Sequence, residues 1–240
     1  MPIAIFFDLD DTITTCDPIC QPAWNMCCDE FVKKYAPSFT AKELYETIEN
    51  VKSWYWADPI RQKTGRENLK DARREVVRYA MKELHITDET LVCELADQYT
   101  ARHSSMIELL PKAKEALQML QDKGIRMALI TNGGSATQRE KLERFSITHY
   151  FEHIFIDSEV GFSKPDIRIY QHALEKMNLK PDQVYMVGDN LTWDVMGAQQ
   201  AGIFAVWNDY EGTGLEAGET VIPDMVVSSI YELAKVICSV

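Results

Sequence analysis

Three carboxylates fall within four positions near the start of the chain. Asp8, Asp10 and Asp11 come directly after the apolar run of residues 3–7. Like charges this close repel one another, and at the end of a buried strand their ionised forms cost free energy unless a cation compensates them. Carboxylates in such a position can act as nucleophiles, proton carriers or metal ligands. The cluster therefore predicts that the fold brings positive charge to it.

Further polar side chains follow the later predicted strands of the chain. They are Thr131, Asn132, Lys164, Asp189 and Asp194. In open parallel sheets, ligands bind at the carboxyl ends of the strands. We therefore expect all these groups to meet the first carboxylates at one edge of the sheet.

The residue types of this set indicate a metal beside a phosphoryl group. Carboxylates converging on a small volume need a hard cation, and Mg²⁺ with oxygen ligands fits them. The Thr131 hydroxyl, the backbone N–H groups of the Asn132–Gly133 turn and the charge of Lys164 suit a phosphoryl group. A carboxylate beside such a metal and such a cradle is a candidate nucleophile of the aspartyl-phosphate type.

The hydrophobic pattern predicts an α/β core that is split by a helical insertion. Residues 3–8 have the pattern of a buried strand, residues 17–105 contain only amphipathic helices, and strands alternate with helices in the remainder. Such alternation implies right-handed crossovers and a parallel sheet covered on both faces. We therefore predict a Rossmann-like three-layer core from residues 1–15 and 106–240, with residues 16–105 as an inserted α-helical cap domain.

Periodicity also places the individual elements of the core. The predicted strands are residues 3–8, 125–130, 153–156, 183–187 and 203–207, and the predicted helices are residues 111–124, 136–145, 166–178 and 192–202. In the insertion, a helix over residues 67–84 has an apolar stripe of Leu69, Ala72, Val76, Tyr79 and Ala80.

Charge and composition exclude several classes of protein. The formal net charge is −12, and without clustered Lys and Arg this argues against a nucleic-acid partner. No apolar run approaches the ~20 residues that span a bilayer, and the N-terminal segment lacks the basic region of a signal peptide. We expect a cytoplasmic protein with no membrane partner. The six cysteines match no paired zinc spacing and are interpreted as reduced, packed thiols.

Four sequence motifs resemble a known superfamily. In chain order they are FDLDDT, ITNG, KP and VGDNLTWD, and together on an α/β core they resemble the four motifs of the haloacid dehalogenase (HAD) superfamily. The helical insertion lies where this family carries its helical cap, so the resemblance covers the whole chain. The segments TNGGSATQREKL, YFEHIF and VGDNLTWDVMGAQQAG are similar to those of N-acylneuraminate-9-phosphatases and bacterial house-cleaning nucleotidases.

The resemblance implies a phosphoric monoester hydrolase that acts on a small phosphorylated metabolite, such as a sugar phosphate or a nucleotide. It implies that Asp8 attacks phosphorus in line and forms an aspartyl-phosphate. Asp10 would protonate the leaving alcohol and then act as a base on the hydrolytic water. The partner is then this small molecule, and the protein would be a monomer or a homodimer.

The resemblance also implies the ligands of the metal and of the phosphate. Mg²⁺ would be held by the Asp8 carboxylate, the Asp10 backbone carbonyl and Asp189, with Asp194 binding directly or through water. The transferring phosphoryl oxygens would contact Thr131 and Lys164, where charge spreads in the transition state. Asn132 is a further candidate phosphate ligand.

Three other functions remain open at this point. A phosphomutase uses the same core and the same motifs. A 2-haloacid dehalogenase also has an aspartate nucleophile but needs neither Mg²⁺ nor a second aspartate, so Asp10 and Asp189 argue against it. A phospho-receiver signalling domain also combines acidic residues, Thr and Lys, but its acceptor Asp ends a later strand than its acidic pair.

Two features have no assigned chemistry. Many relatives carry Gly at the position of Asp11, so this third carboxylate has no role that the resemblance supplies. The aromatic segment of residues 54–56 is interpreted as packing within the insertion, with the lining of a substrate entrance as the alternative.

Overall fold

The computed structural model describes residues 1–239, apart from the side chains of residues 59, 63, 66 and 67. The chain forms two compact units, Met1–Thr15 with Glu108–Val240 and Cys16–Ile107. We call the first the α/β unit and the second the helical unit. No helix among the described residues is both long enough and apolar enough to cross a bilayer.

The α/β unit is built on a six-stranded parallel sheet with strand order β3-β2-β1-β4-β5-β6. The strands are β1 (Ala4–Phe7), β2 (Arg126–Thr131), β3 (His153–Ile156), β4 (Val184–Gly188), β5 (Phe204–Asn208) and β6 (Met225–Val227). The first strand in sequence lies in the centre, where Phe7 pairs with Leu129 of β2 and Val187 of β4. Every β1 residue is buried because sheet neighbours lie on both sides and helices cover both faces.

Helices cover both faces of this sheet. Successive β1 side chains point to opposite faces: Ile5 and Phe7 belong to one apolar cluster, and Ala4 and Phe6 belong to another. The first cluster includes residues of α6 (Ala113–Asp122), α7 (Ser135–Arg144) and α11 (Ile230–Cys238), and the second includes residues of α9 (Ile167–Met177) and α10 (Gly197–Gln200). A four-residue helix, α8 (Asp157–Val160), follows β3. The predicted three-layer α/β fold is confirmed.

The helical unit contains five helices around its own apolar core. They are α1 (Cys20–Tyr35), α2 (Ala41–Trp56), α3 (Pro59–Glu67), α4 (Leu69–Glu83) and α5 (Glu89–Met106). Its core joins residues of α1, α2, α4 and α5. The predicted apolar stripe of α4 is wrong at Tyr79, which is 40% exposed and stacks edge-on against Trp54. In the aromatic segment Tyr55 is buried, as a packing role requires, whereas Trp54 is half exposed.

Four of these elements were not predicted, and one was predicted with the wrong form. The pattern assigns nothing to α3, α8, β6 or α11. Both α8, with four residues, and β6, with three, are too short to show a period. Residues 192–202, predicted as one helix, begin instead with a π-helical turn, Leu191–Met196, and continue as α10. There Asn190 O accepts hydrogen bonds from the N–H groups of both Asp194 and Val195.

Candidate active site

Asp8 lies directly beyond the end of the central strand. Its N–H donates to Val187 O at 2.9 Å, which extends the pairing of β1 with β4 by one residue. The chain then turns sharply, because the N–H groups of Ile13 and Thr14 both donate to Leu9 O. This turn separates the environments of the two predicted catalytic carboxylates: the side chain of Asp8 contacts Lys164, and that of Asp10 contacts Lys141.

Lys164 lies between two carboxylates. Its Nζ is 2.7 Å from Asp8 Oδ1 and 2.6 Å from Asp194 Oδ1, and the residue is only 2% exposed. Although burial disfavours the charged amine, the two carboxylates outweigh this effect and raise the pKa of Lys164 above its ordinary value. Lys164 is therefore a permanent cation at the carboxyl edge of the sheet, the positive charge that the first carboxylates require.

Asn132 holds the Lys164 backbone in place. The Asn132 amide donates from Nδ2 to Lys164 O at 3.0 Å, and its Oδ1 accepts from Lys164 N at 2.9 Å. The next residue, Gly133, donates its N–H to Asp157 Oδ1 at 2.8 Å. The Asn132 side chain thus links the β2 loop to the lysine loop, and its predicted contact with phosphate stays a prediction.

Asp194 is buried at the start of the π-helical turn. Its Oδ2 accepts from Asn190 N at 3.1 Å, while Oδ1 faces Lys164. The backbone of Gly188 leaves the space that this carboxylate occupies, because a Cβ at Gly188 would overlap the Asp194 side chain. The glycine of the VGDN motif is therefore required by close packing rather than by a special backbone conformation.

Three carboxylates form a candidate metal centre. Oxygen atoms of Asp8, Asp189 and Asp194 all lie within 4.8 Å of one another. Asp189 accepts from the Thr12 hydroxyl at 3.3 Å, and its carbonyl accepts from Trp207 Nε1 at 2.6 Å. An all-oxygen set of this size and charge fits a hard divalent cation such as Mg²⁺.

Burial and mutual repulsion raise the pKa values of two carboxyl groups in this cluster. Burial, followed by repulsion from Asp194 and Asp10, raises the pKa of Asp8 despite the opposing effect of Lys164. Burial and the negative charges of Asp8, Asp194 and Asp11 raise the pKa of Asp189 as well. A cation among these groups favours their ionised forms, and Asp8 must be ionised to act as a nucleophile.

Asp10 has a separate set of partners, none of which was predicted from the sequence. Lys141 Nζ is 2.6 Å from Asp10 Oδ1, and Gln138 Nε2 donates to Asp10 Oδ2 at 3.1 Å. Burial raises the pKa of Asp10, but the Lys141 charge and the hydrogen bonds from Lys141, Gln138 and Thr14 outweigh it and hold the pKa below its usual value. Gln138 and Lys141 are three residues apart on α7, and polar residues at such a spacing on the core side of a helix are the signal that could have identified them.

Thr131 joins the two sets of residues. It ends β2, is buried, and accepts a hydrogen bond from Gln138 Nε2 at 2.6 Å. The structure thus brings Asp8, Lys164, Asp189 and Asp194 into one cluster, and links Asp10 to Thr131 through Gln138. Their roles in binding and catalysis stay predictions.

The backbone conformation of the turn explains why an aspartate can occur at position 11. Its φ of 56° is in the left-handed region, where glycine is unstrained and Asp is among the tolerated residues. Its N–H donates to Thr14 O at 2.6 Å, and its Oδ1 accepts from the Tyr210 hydroxyl at 3.3 Å. The third carboxylate therefore occupies a turn position whose conformation favours Gly, Asn or Asp.

Substitutions at Asp11 should follow backbone conformation rather than charge. We expect Asp11→Gly and Asp11→Asn to retain the hydrolysis rate within a few-fold. Asp11→Val should lower the free energy of unfolding by about 1–2 kcal/mol, because a β-branched residue is strained at this φ. Thermal unfolding and phosphate release of the three variants check this. An Asn variant as impaired as the Val variant would instead give the Asp11 charge a catalytic role.

Comparison with known proteins identifies the family. Residues 4–202 match the haloacid dehalogenase-like hydrolases. The chain is 30% identical to the pyrimidine 5'-nucleotidase YjjG of Escherichia coli, over 98% of this chain and 97% of that protein. It is 28% identical to the N-acylneuraminate-9-phosphatase of Rattus norvegicus, over 99% of this chain and 94% of that protein. The chain therefore belongs to the haloacid dehalogenase-like hydrolases, and the resemblance drawn from its motifs is confirmed.

Two further comparisons bear on length and fold. A phosphoserine phosphatase of Thermus thermophilus is 35% identical over 74% of this chain, but this match covers only 65% of that protein. A match to a glyceraldehyde 3-phosphate phosphatase of Methanothermobacter thermautotrophicus covers 58% of that relative. The magnesium-bound structure of the HAD hydrolase YfnB of Bacillus subtilis, 21% identical, superimposes with a TM-score of 0.72 over 97% of each chain, which confirms the fold.

Proposed function

We propose that this protein is a Mg²⁺-dependent phosphatase that hydrolyses the monoester of a small phosphorylated metabolite through an aspartyl-phosphate. The observation that carries the proposal is the position of Asp8: it contacts the buried Lys164 and also belongs to the carboxylate cluster with Asp189 and Asp194. A nucleophile between a lysine and a metal-binding cluster is suited to attack a phosphoryl group, whose negative charge both cations stabilise.

In the first step, Asp8 forms a bond to phosphorus as the ester oxygen leaves. Asp10, in its protonated form, gives its proton to that oxygen, so that the product departs as an alcohol. In the second step Asp10 takes a proton from water, which attacks the aspartyl-phosphate and releases phosphate and the free Asp8 carboxylate. The low pKa of Asp10 favours the basic form that this second step uses.

The remaining residues bind and stabilise the phosphoryl group. Lys164 and Thr131 lie at the carboxyl edge of the sheet and would contact its oxygens as charge spreads over them. Mg²⁺, held by Asp8, Asp189 and Asp194 with the Asp10 backbone carbonyl, would supply further neutralisation of phosphoryl charge when bound.

The names of the relatives support the proposed substrate class. The names of the four relatives compared above refer to a nucleotide, a phosphorylated amino acid, a phosphorylated sugar acid and a triose phosphate. All are monoesters of small metabolites. We propose that the helical unit is the cap domain and selects among such substrates, and that the protein acts in the cytoplasm.

A substrate panel with and without chelator tests this function. We expect phosphate release from at least one sugar phosphate or nucleotide in the presence of Mg²⁺, and loss of that release with EDTA. No release from any phosphate ester would contradict the proposal. An isomerised phosphate ester as the product would instead indicate a phosphomutase, halide release from 2-halo acids a dehalogenase, and a stable phospho-aspartate without turnover a phospho-receiver.

A further inference from the structure

We propose that Lys141 and Gln138 of α7 are positioning residues that hold the carboxylate of Asp10 where it meets the leaving oxygen. This inference rests on the proposed phosphatase function and assigns to it two residues outside the four motifs. Lys141 Nζ lies 2.6 Å from Asp10 Oδ1, and Lys141 is 4% exposed although it is a charged residue.

Both oxygens of the Asp10 carboxylate are held. Oδ1 accepts from Lys141 and, at 3.2 Å, from the Thr14 hydroxyl. Oδ2 accepts from Gln138 Nε2 at 3.1 Å. Because donors approach from two directions, the carboxylate can adopt only one orientation. A fixed orientation favours proton transfer to a substrate atom that is itself held at a fixed place.

Two ion pairs on and near α7 are of a different kind. Arg139 on the same helix pairs with Glu159, and Arg126 of β2 pairs with Glu152, but all four side chains are about a third exposed or more. Exposed pairs of this type contribute little because water screens them. The Lys141 side chain is 5% exposed and has lost its hydration, so its charge is tolerable only with a close acidic partner.

Gln138 connects this carboxylate to the end of β2 and the residue that follows it, Thr131 and Asn132. Besides Asp10, its Nε2 donates to Thr131 Oγ1 at 2.6 Å and lies 3.2 Å from Asn132 O. The helix that carries Gln138 and Lys141 begins at Ser135, four residues after Thr131. One rigid helix therefore sets the distance between the proton carrier and the residue that would bind the phosphoryl oxygens.

The role predicts a dependence on the leaving group. A proton is needed when an alkoxide would otherwise depart, as with a sugar or alkyl phosphate, but little is needed when 4-nitrophenolate departs, because it is a weak base. A variant that misplaces Asp10 should therefore slow cleavage of the alkyl ester far more than that of 4-nitrophenyl phosphate. A structural defect alone would slow both alike.

The experiment measures single-turnover release of the alcohol and of 4-nitrophenol, so that hydrolysis of the shared aspartyl-phosphate does not mask the first step. We expect Lys141→Met to slow release from the alkyl ester by about 10²-fold and release of 4-nitrophenol by less than about tenfold. Lys141→Arg, which keeps the charge, should recover part of the loss. Arg139→Met, on the exposed side of the same helix, is the matched control and should change neither rate.

A double-mutant cycle with Asp10→Asn completes the test. If Lys141 acts through Asp10, Lys141→Met should change the rates of the Asp10→Asn protein by less than about twofold. Additive losses, or equal losses on the two esters, would overturn the positioning role while leaving the phosphatase function intact. Absence of phosphate release by the wild-type protein would instead overturn the proposed function. If thermal unfolding shows that Lys141→Met does not fold, the Lys141→Gln and Lys141→Arg variants are measured instead. The loss of rate on the alkyl ester, divided by the loss on 4-nitrophenyl phosphate, then decides the question.

Discussion

Asp8→Asn is expected to lose phosphate release by at least about 10⁴-fold, the scale on which an enzyme loses activity with its nucleophile. The substitution keeps the size of the side chain and an oxygen that can accept from Lys164, which lies 2.7 Å from Asp8 Oδ1. A neutral amide, however, cannot form the bond to phosphorus. Phosphate release at saturating Mg²⁺ measures the loss, and no phosphoryl group should be found on the variant protein.

Asp10→Asn should behave differently, because its expected role is proton transfer rather than bond formation. We expect a loss of about 10²–10⁴-fold and accumulation of phosphate on Asp8, since an amide cannot take the proton of the hydrolytic water. Intact-protein mass after rapid quenching measures the phosphoryl adduct. Asp182→Asn, at an exposed position of the same unit, is the control for both variants and should match the wild type.

The result for Asp8→Asn decides the mechanism as a whole. Full activity of Asp8→Asn would refute it.

Lys164→Met should lower both activity and stability, because it removes the cation that Asp8 and Asp194 share. Phosphate release should fall by at least about 10³-fold, as when a preorganised group that stabilises transition-state charge is lost. The free energy of unfolding should fall by about 3–5 kcal/mol, the usual cost of leaving a buried charge without its partner. Chemical denaturation in EDTA measures the second effect. Lys176→Met, at an exposed position on α9, is the matched control and should change neither quantity.

Mg²⁺ should partly compensate for the missing lysine in stability but not in activity. The Lys164→Met protein keeps the carboxylates of Asp8, Asp189 and Asp194, now with more uncompensated charge, so Mg²⁺ should raise its unfolding midpoint more than that of the wild type. If Mg²⁺ stabilised neither protein, the cluster would not be a metal site.

The pH dependence of metal-free stability follows from the same cluster. The pKa values of Asp8 and Asp189 are raised in the folded state, so the folded protein retains protons that the unfolded chain releases near pH ~4. Stability without metal should therefore decrease as the pH rises from ~4 through the raised pKa values. The stabilisation by Mg²⁺ should increase over the same range, because ionised carboxylates bind it. Unfolding midpoints in EDTA and in Mg²⁺ across this range measure both trends.

The class of fold, and the edge of the sheet at which the polar groups gather, could be predicted from the amino-acid sequence alone. Buried strands and amphipathic helices differ in period, so five of the six strands could be located to within a residue at either end, and the observed β3 coincides with its predicted bounds. Parallel strands end at one edge, so Asp8, Thr131 and Asp189 could be assigned to that edge before their neighbours were known.

Which side chains meet at that edge depends on how the elements pack in three dimensions. Lys164 contacts Asp8 and Asp194 because β1 lies between β2 and β4, an order that no local pattern specifies. The partners of Asp10 come from a face of α7 that had to be oriented by packing, and the left-handed φ of Asp11 follows from its turn. Local propensity determines which elements form. Pairing between residues 199 positions apart, such as Asp11 with Tyr210, depends instead on how those elements pack.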